Sequence, residues 1–257
     1  MKLRKTALIV NFFRPAYTVF LNLAFPRGVK RVINGTDEVI VSPEYRNMSE
    51  VFEAAVWSRI MDKAREGDVV IDVGAFIGLY TVSLAKKVGN AGRVYAFEMD
   101  KTNLAALQKH IRLNGLGNAV TIYAAAGDTN SLSVSYEPHG EESYIVSSEM
   151  ACETKYKKIQ TKSLDKTFSD IKIDIIKIDV EGYEEKVLLG ARSLLSRKDG
   201  YPRAIFIETH PYMWHFHNTS ADKILRLLGE AGYRVEDIRG EPVDDIKNYS
   251  EIIALKD

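Results

Sequence analysis

The 257 residues are long for one domain and short for two, and at 46% hydrophobic they can build a single core with an N-terminal extension. Lys+Arg and Asp+Glu balance at 35 each, which leaves no overall field for holding nucleic acid, so nucleic acid is not an expected partner. The single cysteine, Cys152, excludes an internal disulfide and has no companion at zinc-ligand spacing, in keeping with a reducing, cytoplasmic setting.

The charge balance conceals an asymmetry. Residues 1–36 carry Lys2, Arg4, Lys5, Arg14, Arg27, Lys30 and Arg31 and no acid, so the rest of the chain has an excess of seven acidic residues. The apolar run Thr6 to Phe13 is too short and too charged at its edges to span a bilayer. As a helix it would show a polar stripe of Asn11, Arg14, Thr18 and Asn22, kinked at Pro15. Packing on the domain, or peripheral contact of residues 1–31 with a membrane surface, would each use such a helix.

VKRVI and EVIVS flank Asn34-Gly35 and predict a hairpin over residues 29–42; a helix is expected from Ser49 to Arg65. Residues 1–66 therefore read as an extension and 67–257 as the main domain. From Asp68 the pattern alternates: strand VVIDV, helix GLYTVSLAKKV, strand RVYAFE, helix NLAALQKHIRL, strand AVTIYAAA. Short β-like pieces around EPHGEES interrupt it between Ser131 and Thr161. It resumes with DIIKID, EEKVLLGARSLL, AIFIE, DKILRLLGEAG, YRVEDI and EIIALK. The strands are continuous apolar runs, as when helices cover both faces of a parallel sheet, and about seven are expected. His110 and His139 read as surface residues.

Ligands of open α/β sheets bind at the carboxyl ends of the strands. There the sequence offers DVGAFIG (Asp72 to Gly78), where glycine permits a tight turn into a helix, and Glu98, an acid placed to accept from both ribose hydroxyls. Neither GxxxxGK[ST] nor GxGxxG is present, which favours a nucleoside without a bound pyrophosphate. Further on, alternation along KIDVEGYE puts Lys177, Asp179 and Glu181 on one side, while Glu184 and Glu185 fall in the first turn of a helix, where the dipole favours acids. The strand AIFIETHP ends with Glu208 and His210 on one face. These groups could supply a base, a cation site or hydrogen bonds to an acceptor. His210, with an ordinary pKa near 6.5, suits a base at neutral pH. In HPYMWHFHN, Tyr212, Trp214 and Phe216 suit an aromatic lid, and the His210, His215 and His217 spacing offers a weaker metal alternative.

DVGAFIGLYT, FEMD, the Asn114 of HIRLNG, TKSLD, IIKIDVEGYEEKVLLGA and IETH together resemble the FkbM-type methyltransferases over Asp68 to His210. The resemblance implies a Rossmann-like class I methyltransferase α/β fold and S-adenosylmethionine-dependent O-methylation of a hydroxyl on a small molecule or saccharide. It places Asp72, Gly74, Ala75, Gly78, Glu98, Ala126, Gly127, Asp128 and Asp179 around the cofactor. His210, Asp179 and Glu208 are the catalytic candidates, and Glu181, Tyr212, Trp214 and His215 those for the acceptor. A divalent cation on Asp179, Glu208 and His210 is the less favoured alternative. Phe76 departs from the family, which commonly has Asn there. The alternatives are an NAD- or nucleotide-sugar-linked oxidoreductase and a noncatalytic methyltransferase-like module.

Overall fold

The computed structural model describes residues 17, 19–138, 140, 143–146 and 155–257. The expected polar stripe at Asn11, Arg14 and Thr18, the kink at Pro15, and the readings of His139 and Cys152 lie outside these. Among the described residues no helix is long and apolar enough to cross a membrane.

The hairpin forms as expected from β1 (Val29–Ile33) and β2 (Asp37–Val41), with Asn34 and Gly35 both at positive φ. Helix α1 is shorter than expected, Ala54–Lys63, because Glu53 takes a left-handed conformation that ends the chain's approach to it. Then come β3 (Val69–Val73), α2 (Leu79–Val88), β4 (Arg93–Glu98), α3 (Lys101–Leu113) and β5 (Ala119–Tyr123). Strands β6 (Ala125–Ala126), β7 (Ser133–Glu137), β8 (Tyr144–Val146) and β9 (Lys157–Lys162) make a small separate sheet in the order β6-β9-β7-β8. The chain continues through α4 (Leu164–Thr167), β10 (Ile175–Ile178), α5 (Glu184–Leu189), α6 (Arg192–Leu195) and β11 (Ala204–Thr209). A 3-10 helix (Pro211–Phe216), α7 (Ala221–Glu230), β12 (Arg234–Asp237) and β13 (Ser250–Leu255) complete it.

The main sheet has seven strands in the order β12-β13-β11-β10-β3-β4-β5, and β13 runs antiparallel to its neighbours. This is the Rossmann-like α/β architecture anticipated from the sequence. Strand β10 lies between β3 and β11, with Lys177 opposite both Asp72 and Phe206. The order reverses between β3 and β10, which opens a crevice at their carboxyl ends. The hairpin and α1 close one face: Ile33, Val39, Val56 and the fully buried Trp57 share a core with Val70, Val82 and Phe206. Each such side chain removed from water contributes roughly 1.5–3 kcal/mol.

His110 is not a surface residue. It is buried on the inner stripe of α3, with Nε2 3.0 Å from Ser42 Oγ and Nδ1 2.8 Å from the Ile77 carbonyl. Asn114 works beside it, accepting from Ile40 N–H at 2.9 Å and donating to Ile40 C=O at 2.8 Å. Together they staple the hairpin to the helix behind the Asp72–Gly78 loop.

Candidate active site

A cleft of about 310 Å³ opens at the carboxyl ends of β3, β4, β10 and β11. Its two ends differ in chemistry.

The end beside β3 and β4 is built by the Asp72–Gly78 loop. Gly74 has φ +82°, and a Cβ there would lie 1.7 Å from the Asp179 carbonyl oxygen, so the loop passes β10 at a distance only glycine permits. Asp72 is buried; Oδ2 accepts from Thr81 Oγ1 at 2.6 Å, while Oδ1 has no partner among the described residues. A buried, unpaired carboxylate oxygen in a cleft wall fits a cationic donor such as an amino group. Burial holds Asp72 above the ordinary carboxylate range, against the opposing field of Lys177. Glu98 accepts from Phe76 N–H at 2.8 Å and Asp100 N–H at 2.7 Å, one on each oxygen, which leaves a lone pair on each for a vicinal diol. Burial pushes its pKa up to about 7 despite those two bonds.

Asp72, Gly74, Ala75, Glu98, Ala126 and Asp179 all line this cleft. Gly78, Gly127 and Asp128 do not. Gly78 sits behind the wall against Leu107. Asp128 pairs with Lys186 Nζ at 3.0 Å, and Gly127 packs against Gly190, so both lie beside the cleft rather than in its lining. Met99, Asn103 and Ser143 also line the cleft. Phe76 also lines it; its contact with Glu98 is through backbone N–H, which any residue supplies.

The other end is dominated by acids. Ligand atoms of Asp179, Glu208 and His210 lie within 4.8 Å of one another, as do carboxylates of Glu53, Glu208 and Glu251. Lys177 Nζ is buried 3.0 Å from Asp179 Oδ2 and 4.6 Å from the Tyr80 ring centre. Burial opposes its charge, but Asp179, Asp72, Glu53 and Glu208 outweigh that and hold it above the ordinary lysine value. Burial also raises Asp179, assisted by Glu208 and opposed by Lys177. In Glu208 burial is outweighed by His210, Lys177 and the Tyr249 hydroxyl at 2.7 Å, so its pKa falls. Glu181 accepts from the Tyr212 hydroxyl at 2.9 Å.

His210 differs from the sequence expectation. Burial disfavours its charge, yet the hydrogen bonds to Glu184 and Glu208 and the field of Glu181 push it up to about 10. A ring whose proton is held this firmly by neighbouring acids favours donating over accepting, which disfavours the base role expected from its ordinary pKa. A divalent cation on Asp179, Glu208 and His210 would have to displace both this charge and Lys177.

The aromatic lid is partly corrected. Tyr212 and Glu181 line the cleft, but Trp214 points inward and donates its indole N–H to Glu184 at 2.9 Å. His215 lies outside the cleft, exposed and stacked on Phe216 at 3.8 Å between ring centres. His217 packs edge-on to Tyr183, and no candidate metal group among the described residues includes His215 or His217. Sequence reasoning missed Glu53 and Tyr249, which reach the cleft from segments far away in sequence, and it read Glu184 as an ordinary helix start.

A family model described as the methyltransferase FkbM domain matches residues 72–235. No curated protein matches the chain. Among solved structures it is similar to a SAM-dependent methyltransferase from Aquifex aeolicus, at 17% identity and TM-score 0.45 over 78% of this chain and 88% of that one. It is similar to a SAM-dependent O-methyltransferase from Thermotoga maritima at 16% identity and TM-score 0.48, over 89% and 77% of the two chains. A third is the precorrin-6y C5,15-methyltransferase from Geobacter metallireducens, at 12% identity and TM-score 0.46 over 82% and 93%.

Proposed function

Because this chain belongs to the FkbM methyltransferase family and is therefore an S-adenosylmethionine-dependent methyltransferase, we propose that it methylates a hydroxyl of a small molecule or saccharide. The oxidoreductase and noncatalytic alternatives fall away with that membership. The observation carrying the proposal is the convergence of Asp179, Glu181, Glu208, His210 and the tyrosine hydroxyls on the cleft beside the Gly74 loop. Such groups suit a polyhydroxylated acceptor, and at least one of them can take its proton.

Bound S-adenosylmethionine supplies an electrophilic methyl carbon on a sulfonium. Asp72 would hold its amino group and Glu98 its ribose, with the Gly74–Phe76 backbone closing around it. The remaining work is to fix the acceptor oxygen and remove its proton. Asp179 has the affinity for that proton, because burial raises its pKa, and it lies at the junction of the cleft's two ends. His210, already protonated, donates rather than accepts; Lys177 keeps the assembled acids from repelling one another. Transfer of labelled methyl across hydroxylated metabolites and saccharides, read by mass, tests the reading. Label appearing solely on nitrogen, carbon or sulfur acceptors would refute it, and turnover is expected to persist in chelator.

Glu98→Gln tests the cofactor end. Ribose hydroxyls favour the charged carboxylate, so binding lowers a pKa of about 7 and releases a proton; wild-type affinity should therefore rise as pH passes from about 6 to 8. The variant should bind about tenfold more weakly at pH 8, losing two charge-assisted bonds, and show no such rise. Calorimetry giving identical affinities and pH dependence for both would reduce Glu98 to a loop anchor.

A further inference from the structure

We infer that Glu184 is the positioning residue for His210, fixing its ring so that Nδ1–H is bound inside the protein and Nε2–H is presented to the acceptor. Glu184 begins α5, is fully buried, and has four hydrogen bonds. Oε1 accepts from Gly182 N–H at 3.0 Å, His210 N–H at 3.2 Å and His210 Nδ1 at 2.8 Å; Oε2 accepts from Trp214 Nε1 at 2.9 Å. Two backbone amides and an indole can only donate, so both oxygens act as acceptors and Nδ1 must carry a proton. The imidazole is thereby locked in orientation as well as in protonation.

A buried carboxylate is costly, and a helix start does not require one. Here it links the loop after β10, the end of β11 and the 3-10 helix, the three segments that form the acceptor end of the cleft. On the far side of the ring, Nε2 is 3.5 Å from both Glu181 Oε1 and Glu208 Oε1. Both distances are long, so the weak Nε2–H contact with Glu208 can be exchanged for an oxygen arriving between the two carboxylates. Asp179 also faces the ring, and Tyr212 and Tyr249 flank it edge-on at 5.9 and 5.7 Å between centres. The catalytic part of the inference rests on the hydroxyl-transfer reading above; the state of the ring does not.

The test therefore has two arms on the full chain. In the first, NMR of labelled histidine follows His210 without substrates. The wild-type ring should hold its Nδ1 proton and titrate near pH 10. Glu184→Gln should lower that midpoint by at least about one unit, a tenfold change in proton affinity. Trp214→Phe, which removes a different bond to the same carboxylate, should leave the midpoint high. In the second arm, E184Q should lower kcat by about 10–100-fold, the size of effect seen for partners that orient a functional histidine, with cofactor affinity held within a few-fold. An unchanged midpoint in E184Q, or equal loss in E184Q and W214F, would show a purely structural carboxylate. If E184Q does not fold, Glu184→Asp serves: the raised midpoint should survive in it, and an ordinary one would overturn the assignment. Failure to methylate any hydroxyl would sink the reaction reading while leaving the first arm intact.

An independent observation concerns the other end of the molecule. Residues 19–24 are helical, with Leu21 buried and Asn22 accepting from Lys109 Nζ at 2.7 Å on the inner side. Val19, Phe20 and Leu23 face outward at 60, 63 and 76% exposure, followed by Phe25 at 45%. Outward apolar side chains within an acid-free stretch of seven basic residues match an anionic phospholipid bilayer, and we propose that this face docks on one. The full chain should sediment with phosphatidylcholine vesicles containing phosphatidylglycerol, not with phosphatidylcholine alone, and should be released by salt. Phe20→Glu with Leu23→Glu should weaken sedimentation by more than about tenfold. No sedimentation with the anionic vesicles, or a concentration-dependent dimer abolished by the same substitutions, would overturn the proposal.

Discussion

Asp179→Asn is expected to lower methyl transfer by about 10²–10⁴-fold, the range lost when a positioned proton acceptor is removed. The amide has nearly the volume of the acid, and its oxygen can still accept from Lys177, now at 3.0 Å. It cannot take a proton from a hydroxyl. The substitution also removes the largest opposing charge from a buried lysine, so a stability loss of about 1–3 kcal/mol should accompany it. Denaturant unfolding separates the two effects, because a loss of that size leaves a domain of ordinary stability folded. Wild-type turnover in folded D179N would remove Asp179 from the proton path and return attention to Glu208. A rate deficit that vanishes at high cofactor concentration would assign Asp179 to binding instead.

Gly74→Ala should be the most damaging single methyl group that can be added to the cleft. Two costs combine: φ +82° strains any L side chain, and the new Cβ would lie 1.7 Å from a backbone oxygen that cannot rotate aside. Gly35 provides the control, with φ +75° and nothing within 4 Å of an added Cβ. Gly35→Ala should cost about 1–2 kcal/mol from backbone conformation alone. Gly74→Ala should cost several kcal/mol, or push β3 and β10 apart and abolish cofactor binding. Equal stabilities for the two variants, with cofactor binding retained in both, would show that the loop is not held against β10 as described.

The divisions within KIDVEGYE show how far local pattern reaches. Alternation put Asp179 and Glu181 toward the cleft, and the parallel pairing of β10 with β3 and β11 brings Glu208 and His210 to the same place. Glu98 could be found because a strand end next to a glycine loop is a recognisable position. The ion pair of Asp128 was not legible because its partner, Lys186, lies 58 residues on, within α5. Trp214 was misplaced because an aromatic residue in a 3-10 helix has no periodicity to reveal its direction. Glu184 was legible as the first residue of a helix but not as the partner of a histidine 26 residues later.

Local pattern is enough to find the alternating strands and helices, the glycine loop, the family resemblance and the acids at the strand ends. These depend on side-chain period and backbone conformation, which operate over a few residues. Assembly of the fold sets the electrostatics: Glu53 and Tyr249 join the cleft, Lys177 is buried among carboxylates, and the acids around His210 raise its pKa. Charge states follow from fields and desolvation summed over groups tens to hundreds of residues apart, and such distances are fixed when the sheet assembles.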